Sequence, residues 1–413
     1  DYYQVILQID KADIVDDTLV VETQWQDQIP QDISTFQELY SKDWYTHFLF
    51  SEIIKFSSNI PYTLITRRHP LITNLIKDTA KQSFLNKFKR LTKYVFSYIY
   101  SSRIVLQRKK NIVFVASYFK DKDLYNIQKS LNQLPFKFLF DPKPKRKNCN
   151  DKIRSKIDLL DGQNNFEKLL DFIIPRQIPI SYVENYKSYN KIANLFFPKK
   201  PSIIFTANAY YFNESFKIWS ASCIENGSKL FVSQHGGFGT ALWSQTEVHQ
   251  ISISDIFYSW GWSRVDNSKV KPMPANKLNN IKKKITYNEN GKVLCVLTSD
   301  IVNYLHTQVP QAFNLDFKKY VSDLIGIVKN IDSDLGSIFK YRLYHTSYNR
   351  GIYGIKTEFE RNNLYDYIDD KNDFYSSLCD SRLAIITYHP NATALETLAA
   401  NFPTLLFWNP KVF

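Results

Sequence analysis

The chain has 413 residues, 44% of them hydrophobic and 15% aromatic, a composition typical of a globular protein of about two domains. Its formal net charge of +13 favours partners that carry negative charge, namely nucleic acid, an anionic membrane surface or a phosphate-bearing substrate. Nucleic acid is the least favoured of these, because the sequence contains no zinc-finger spacing, no aromatic RNA-binding strand and no basic zipper.

Cysteine usage and the apolar runs favour a cytoplasmic protein. The four cysteines lie far apart and form no CxxC motif, a pattern typical of free thiols in a reducing compartment. Residues 94–106 form an apolar run, but it contains an arginine and is shorter than the roughly 20 residues of a transmembrane helix. The basic, aromatic and amphipathic region 81–110 packs one face on the core or lies against anionic lipid. We therefore expect a soluble cytoplasmic protein, with peripheral contact at the inner membrane as the alternative use of that region.

Strand-like and helix-like segments alternate along most of the chain. In the first 110 residues LVVET predicts a strand, and the stretch that begins at Ser34 predicts a long helix. From residue 111 onwards, short apolar runs rich in β-branched and aromatic residues suit the buried strands of a parallel sheet. These runs are NIVFVASY, FKFLF, SIIFTAN and KLFVSQH in the first half, and KVLCVLTSD, KYRLYH, LYDYID, LAIITYH and PTLLFW in the second.

Residues 271–288 are polar, basic and proline-bearing, and we interpret them as a linker between two domains, 1–270 and 289–413. Strands that alternate with helices at this spacing indicate βαβ units, so each domain is predicted to be α/β, Rossmann-like and doubly wound. The second domain stops just after a strand, so we expect its C-terminal end to be incomplete. Two such domains facing a central cleft form the GT-B architecture.

The turn TYHPNATALE (387–396) runs from a predicted buried strand directly into a helix. Free N–H groups at the start of a helix attract anions, so a diphosphate or phosphodiester would fit there. His389, Asn391 and Thr393 can add side-chain hydrogen bonds to such a donor, and Glu396 can accept from ribose hydroxyls. The alternative is that Asn391 and Thr393 only cap the helix and that Glu396 is solvated.

Two other strand ends carry weaker donor-site candidates. Ser299 in LTSD can donate to a phosphate, although capping explains that turn equally well. Arg342 and His345 follow the strand in YRLYHTSYNRG, where an arginine can bind a phosphate through two hydrogen bonds or can simply lie on the surface. We interpret the acidic triplets 121–123 and 332–334 as solvated turns rather than metal sites.

The stretch SQHGGFGTA (233–241) is rich in glycine, although the whole chain has 11 glycines. Glycine allows the backbone to approach a ligand closely, so this turn is predicted to line the cleft, although a tight strand-to-helix turn would also use glycine. A histidine at the strand end, followed by a glutamate and a second histidine, can supply a general base and an orienting partner. The predicted catalytic residues are His235, Glu247 and His249, and the predicted cleft loop comprises Gln234, Gly236, Gly237, Gly239 and Asp255.

These blocks resemble a known family. QHGGFGT with EVHQISISDIFYSWGW, RLYHTSYNRG and ITYHPNATALETLAANFPTLLFWNP are together similar to transferases encoded beside bacterial surface-carbohydrate genes, and more distantly to the GT-B-like capsule Kdo transferases. The likeness is dense over residues 229–262 and 340–410. The chain departs from the family pattern at Gln250, where a second glutamate is expected, and at His389-Pro390, because the family usually has a tyrosine directly before the asparagine.

The resemblance implies a glycosyltransferase of bacterial surface-polysaccharide biosynthesis that uses no metal or other cofactor. Its donor would be a nucleotide sugar, and its acceptor a glycan or lipid-linked glycan. A CMP-activated 2-keto acid, such as Kdo or a nonulosonic acid, is the first choice of donor because of the His-Pro pair. Two alternatives stay open: a CDP-glycerol-type polyol-phosphate transferase, and a non-catalytic protein that binds a glycan or a membrane surface.

Overall fold

The structure is a computed structural model of the chain. It describes residues 2–21, 24–39, 42–65, 111–138, 141–157, 162–236, 245–298, 317–344, 355–369, 373–388 and 392–407, together with residues 92, 95 and 371. The chain divides into two compact units, the first made of Asp1–Ala116 and Leu124–Leu230 and the second of Ser117–Asp123 and Phe231–Phe413. The domain limits expected from the sequence, 1–270 and 289–413, stay a prediction.

Short parallel strands alternate with helices, as the sequence pattern predicts. The strands are β1 (Thr18–Val21), β2 (Tyr62–Ile65), β3 (Ile112–Val115), β4 (Ile203–Thr206), β5 (Lys229–Ser233), β6 (Ile256–Trp260), β7 (Val270–Met273), β8 (Lys292–Val296), β9 (Phe339–Arg342), β10 (Ser381–Ile386) and β11 (Thr404–Leu406). The helices of the described residues are α1 (Tyr2–Ala12), α2 (Ile33–Leu39), α3 (Asp43–Ser57), α4 (Asp121–Ser130), α5 (Asp151–Arg154), α6 (Asn165–Gln177), α7 (Tyr186–Phe196), α8 (Ala209–Phe212), α9 (Glu214–Glu225), α10 (Gln245–Ile253), α11 (Phe317–Asn330), α12 (Ser333–Ile338), α13 (Ile355–Arg361), α14 (Phe374–Cys379) and α15 (Ala392–Ala399). Short 3-10 helices cover Trp25–Gln28, Ile180–Tyr182, Ile281–Lys284 and Tyr365–Tyr367.

The strands form three sheets. The larger sheet has the order β3-β4-β5-β6-β7, a second has the order β11-β10-β8-β9, and β1 pairs with β2. Strand β8 pairs in parallel with β9 on one side and with β10 on the other, so the chain leaves β8 in one direction and later returns on its opposite side. In open α/β sheets such a reversal opens a crevice outside the carboxyl ends of the two strands.

The C-terminal sheet is buried on both faces, which explains the almost continuous apolar runs of its strands. Val293 and Cys295 of β8 pack with residues of α11 and α13, whereas Leu294 and Val296 pack on the other face with residues of α14 and α15. Alternate side chains of a strand point to opposite faces, so helices cover both. The prediction of an α/β fold with helices on both faces of a parallel sheet is confirmed for this part of the chain.

Helix ends follow local capping rules. The side chain of Asn213 accepts a hydrogen bond from the Phe216 N–H at the start of α9, and Asp373 accepts from the Ser376 N–H at the start of α14. Gly227 ends α9 with a φ of +93°, a left-handed conformation that favours glycine. Gly227 therefore has the C-cap role expected of a glycine just past a helix.

Some local predictions were wrong. Residues 136–138 of FKFLF form no strand, and Tyr365–Tyr367 of LYDYID is a 3-10 helix next to a single bridge between Tyr341 and Ile368. FKFLF contains no β-branched residue and LYDYID contains one, Ile368, so neither run is as rich in them as the buried strands of the two larger sheets. The long helix expected from Ser34 is broken into α2 and α3. The acidic triplets at 121–123 and 332–334 lie at the starts of α4 and α12, where the N-terminal helix dipole favours acidic side chains.

Residues 271–288 are more ordered than a polar linker. They begin inside β7, whose Lys271 and Pro272 pair with Tyr258 and Ser259 of β6. Leu278 and Ile281 are then buried in the core cluster that includes Leu294 of β8 and residues of α14 and α15. The segment is therefore held within the second unit by β7 and by the packing of Leu278 and Ile281.

None of the helices in the described part of the chain is long and apolar enough to cross a lipid bilayer.

Candidate functional site at the carboxyl end of β5

Gln234 holds the turn after β5 in place. Its buried side chain accepts hydrogen bonds from the Trp260 N–H (2.7 Å) and the Trp262 indole N–H (2.9 Å). Its amide nitrogen donates to the carbonyl of Gly236 (2.6 Å). Every polar atom of this amide thus has a protein partner, so Gln234 shapes the predicted cleft loop rather than presenting a group to a ligand.

His235 is a neutral hydrogen-bond donor. Burial lowers its pKa, and the nearby Lys277 ammonium lowers it further, to about 4. The Gln250 amide nitrogen lies 3.3 Å from Nδ1 of the ring. Because an amide nitrogen only donates, Nδ1 accepts this bond and the proton of the neutral ring is carried by Nε2.

The ring of His235 also lies edge-to-face with that of Tyr118, at a centroid distance of 6.2 Å. Tyr118 has a φ of +63°, a left-handed conformation that is strained for a bulky residue. Strain of this kind costs about 1–3 kcal/mol and persists only where surrounding contacts enforce it. Asn276 supplies one such contact, because its amide nitrogen donates to the carbonyl of Ser117 (2.5 Å) and to the hydroxyl of Ser233 (2.9 Å).

Glu247 and Gln250 lie one turn apart on α10, so their side chains share a face with Cβ atoms about 5–6 Å apart. Both are buried, and Gln250 contacts His235. Gln250 thus contacts His235 and shares a helix face with Glu247. His249, in contrast, lies on the exposed side of α10.

Glu247 is a carboxyl group suited to proton transfer at neutral pH. Burial raises its pKa to about 7, although the Arg264 guanidinium acts in the opposite direction. Its Oε1 atom is buried and has no hydrogen-bond partner among the described residues. A carboxyl that is half ionised near pH 7 fits a general base.

Lys277 interacts both with His235, which follows β5, and with Glu396 on α15. Its ammonium lowers the pKa of His235 and lies 3.4 Å from the Glu396 carboxylate on α15. The hydroxyl of Tyr375 donates to the other oxygen of Glu396 at 3.4 Å. The lysine side chain is about half exposed, so its charge remains accessible to a ligand.

Hydroxyl groups that bond to each other lie at the carboxyl ends of β8 and β10, where the strand order reverses. The Thr387 hydroxyl donates to the Val296 carbonyl (2.9 Å) and lies 2.8 Å from the Tyr320 hydroxyl, which accepts from the Thr298 N–H. The Tyr388 hydroxyl lies 3.3 Å from that of Thr393, at the start of α15. The turns LTSD and TYHPNAT thus follow two neighbouring strands, as the sequence pattern suggests.

The other site residues predicted from the sequence are either engaged within the protein, half-buried, or outside the described residues. Arg342 donates to the Asp369 carboxylate (2.9 Å), the Lys371 carbonyl and the Ser377 hydroxyl, so its guanidinium is engaged by the segment between β9 and β10. That engagement does not support a phosphate contact for Arg342. Asp255 is half-buried between α10 and β6. Six candidates lie outside the described residues: Gly237, Gly239, Ser299, His345, His389 and Asn391.

Sequence reasoning missed three residues that build this site. Gln250 is noticeable in the sequence only as a departure from the family pattern, yet it fixes the tautomer of His235. Asn276 and Lys277 belong to the segment interpreted as a linker. Their partners lie far away in sequence, with Asn276 and Ser117 separated by 159 positions, and no local pattern signals such a contact.

Metal binding is not indicated by the described residues, which contain no group of three or more His, Cys, Asp and Glu side chains placed to hold an ion. Transfer without a metal stays a prediction.

Comparison with known proteins gives one family and one distant structure. A search of curated protein sequences finds no match to this chain. The crystal structure of Acinetobacter baumannii MurG is similar over 71% of this chain and 68% of that chain, with 10% sequence identity and a TM-score of 0.27. That level of agreement is too low to carry an inference about this chain. A comparison with protein families matches residues 1–413, the whole chain, to the LIC12162 family transferase. The chain belongs to the LIC12162 family of transferases.

Proposed function

We propose that this transferase is a glycosyltransferase that moves a sugar from a nucleotide donor to a hydroxyl group of a glycan acceptor. The observation that carries the proposal is Glu247, a buried carboxyl with an unpartnered oxygen and a pKa of about 7. Transfer of a group to a hydroxyl needs a base that accepts the hydroxyl proton at the operating pH. Such a carboxyl favours an enzyme over a non-catalytic binding protein, because strongly perturbed pKa values cluster at functional sites.

The proposed reaction uses the neighbours of Glu247. The acceptor hydroxyl forms a bond to the anomeric carbon while its proton passes to Glu247. The bond between that carbon and the phosphate oxygen breaks, and its electrons leave with the nucleotide. Lys277 and the Nε2–H of His235 would stabilise the charge that develops on the leaving phosphate, as donors placed in advance do.

The donor phosphates are assigned to the region around Lys277 and the turns that follow β8 and β10. Lys277 is half exposed and already lies 3.4 Å from Glu396. Glu396, whose side chain is mostly buried, would accept from ribose hydroxyls as the sequence suggests. The cationic side chains remove the need for a metal ion in this proposal.

The finer parts of the proposal rest on the sequence resemblance. They are a role in bacterial surface-polysaccharide biosynthesis, a CMP-activated 2-keto acid as donor, and a glycan or lipid-linked glycan as acceptor at the cytoplasmic face of the inner membrane. The CDP-glycerol-type alternative differs only in the donor and the bond that breaks.

A donor panel tests the proposal. Thermal unfolding of the chain is followed with CMP, CDP, UDP and GDP and their activated sugars, and with CDP-glycerol, at up to millimolar concentration. A ligand that binds only the folded state raises Tm. At one hundred times its Kd it adds about 2.7 kcal/mol to the free energy of unfolding. We expect one nucleotide sugar to raise Tm and the Lys277→Gln variant to lose that rise, whereas Lys283→Gln, in the same segment, keeps it. A response to CDP-glycerol alone selects the alternative, and no response to any donor overturns the proposal.

A further inference from the structure

A polar cavity of about 230 Å³ lies within the first unit, apart from every residue used above. Its lining includes Asp32 and Thr35 at the start of α2, Lys143 and Arg146 from the loop between α4 and α5, and Asn185 and Tyr189 at the start of α7. Ligand pockets for drug-sized molecules measure about 300–1,000 Å³, so this cavity has room for about one sugar ring and not for a nucleotide sugar.

One wall of the cavity is held rigidly. Oδ1 of Asp32 accepts from the N–H and the hydroxyl of Thr35, both at 2.8 Å, and Oδ2 accepts from the Lys143 ammonium at 2.7 Å. Burial by itself would raise the pKa of Asp32, but Lys143 and the Thr35 bonds outweigh it and hold the pKa below the usual value. The charges of this wall are therefore already placed, and a ligand would not have to order them.

Asn185 presents an acceptor that has no partner. Its backbone N–H donates to the Ile180 carbonyl and its amide nitrogen donates to the Lys145 carbonyl, so the orientation of the side chain is fixed. The residue is only 4% exposed, and among the described residues its Oδ1 atom has no hydrogen-bond donor. A buried acceptor left in this state is unfavourable, and a bond from a ligand hydroxyl would offset that penalty.

Arg146 and Tyr189 supply complementary surfaces. Arg146 is exposed at the cavity, and it takes part in none of the ion pairs formed between described residues. A guanidinium binds a carboxylate through two parallel hydrogen bonds. Tyr189 is almost completely buried, so its ring offers a fixed apolar surface at the cavity.

We propose that this cavity binds one acidic sugar unit, with a ring hydroxyl donating to Asn185 Oδ1, the sugar carboxylate paired with Arg146, and the ring resting against Tyr189. The cavity suits a carboxylate sugar better than a simple anion, because an anion would leave the Asn185 acceptor without a donor. An acidic sugar suits the cavity better than a neutral one, because only the acidic sugar offers the Arg146 guanidinium a carboxylate for two parallel hydrogen bonds. The proposal does not require transfer activity.

Saturation-transfer NMR on the whole chain without any donor tests this site, with glucuronate, galacturonate, glucose and acetate as probes. We expect a uronate to bind at millimolar concentration or below, and glucose and acetate to bind at least about 10-fold more weakly. Glucose loses the charge-assisted contact to Arg146, which is worth about 1.5 kcal/mol or more, and acetate loses the hydroxyl bond to Asn185 and the ring contact with Tyr189. Arg146→Gln is expected to weaken uronate binding by a similar factor. Arg382→Gln, an exposed arginine on β10, is the matched control and should bind as the wild type does.

A second variant keeps the test decisive. Ser34 is exposed and also lines the cavity, so Ser34→Trp should fill its mouth and abolish uronate binding without disturbing the core. Equal binding of uronate by the wild type, Arg146→Gln and Ser34→Trp overturns the proposal, as does equal binding of acetate and uronate. Because no donor is present, the result is independent of the outcome of the donor panel.

Discussion

Two strand ends of the second unit differ in how their polar groups are used. At the reversal between β8 and β10, the hydroxyls of Tyr320 and Thr387 bond to each other and to the backbone. At the end of β5, Glu247 keeps a buried oxygen without a partner, and His235 is held neutral beside Lys277. The hydroxyls of the first region are already hydrogen-bonded within the protein, so they shape the turns. In the second region, burial shifts the pKa values of Glu247 and His235, and such shifts are typical of groups that take part in proton transfer.

The largest effect is expected from Glu247→Gln, which removes the proposed base without changing the size of the side chain. Loss of a general base lowers a rate by about 10²–10⁴-fold. We expect kcat of sugar transfer to fall by that factor while donor binding is kept. In the wild type, kcat/KM should rise with pH as Glu247 loses its proton around its pKa of about 7. Glu225→Gln, at the exposed end of α9, is the control. An unchanged rate in Glu247→Gln would show that Glu247 is not the general base.

The next largest effect shows whether Arg342 stabilises the C-terminal sheet or binds the donor phosphate. Arg342→Ala leaves the buried Asp369 carboxylate without its cation, which costs about 3 kcal/mol or more in the free energy of unfolding. Urea unfolding measures this loss. Arg361→Ala breaks an exposed pair with Glu358 and should cost under about 1 kcal/mol. If Arg342→Ala instead kept its stability and lost donor affinity, the residue would be a phosphate ligand, as the sequence first suggested.

Lys277→Gln should alter both halves of the site moderately. Removing the ammonium removes one of the two causes that depress the pKa of His235, so that pKa should rise from about 4 towards the ordinary value. Donor affinity should fall by about 10-fold, as expected for one lost charge-assisted contact. NMR titration of the histidine ring and the thermal-shift panel provide the two readouts. No movement of the His235 pKa would show that Lys277 acts on Glu396 alone.

The smallest effect concerns Gln250→Glu, which introduces the glutamate expected from the family pattern. A carboxylate beside Nδ1 favours the protonated ring, so the pKa of His235 should rise by about one unit. Because the wild-type pKa of His235 lies below its unfolded value, the unfolded state binds more protons between about pH 4 and 6.5, and stability falls on acidification through that window. Gln250→Glu should reduce this acid sensitivity. Val248→Glu adds the same charge to an exposed position of α10 and should not.

The fold was more accessible to sequence reasoning than the site. Runs such as IIFT and KVLCV are so rich in β-branched residues that their burial on both faces of a parallel sheet follows directly. The sequence also placed His235 and Glu247 in one block, because they are close along the chain. It could not assign roles, since the tautomer of His235 depends on Gln250, and its pKa on a lysine from the segment read as a linker. The partners of Arg342, Asp369 and Ser377, lie 27 and 35 positions further along the chain, so the sequence could not show that its guanidinium is engaged within the protein, and its role at the donor phosphate stays a prediction.

The central claim is that Glu247 titrates near neutrality, and carboxyl titration tests it without any substrate. Carbon-detected NMR of the chain labelled at glutamate carboxyls, compared between wild type and Glu247→Gln, isolates the signal of this one side chain. The account predicts a carboxyl with a pKa of about 7 in the wild type that is missing from the variant. A signal for Glu247 that titrates near the ordinary value of about 4.3 would contradict the assignment of this residue as the base.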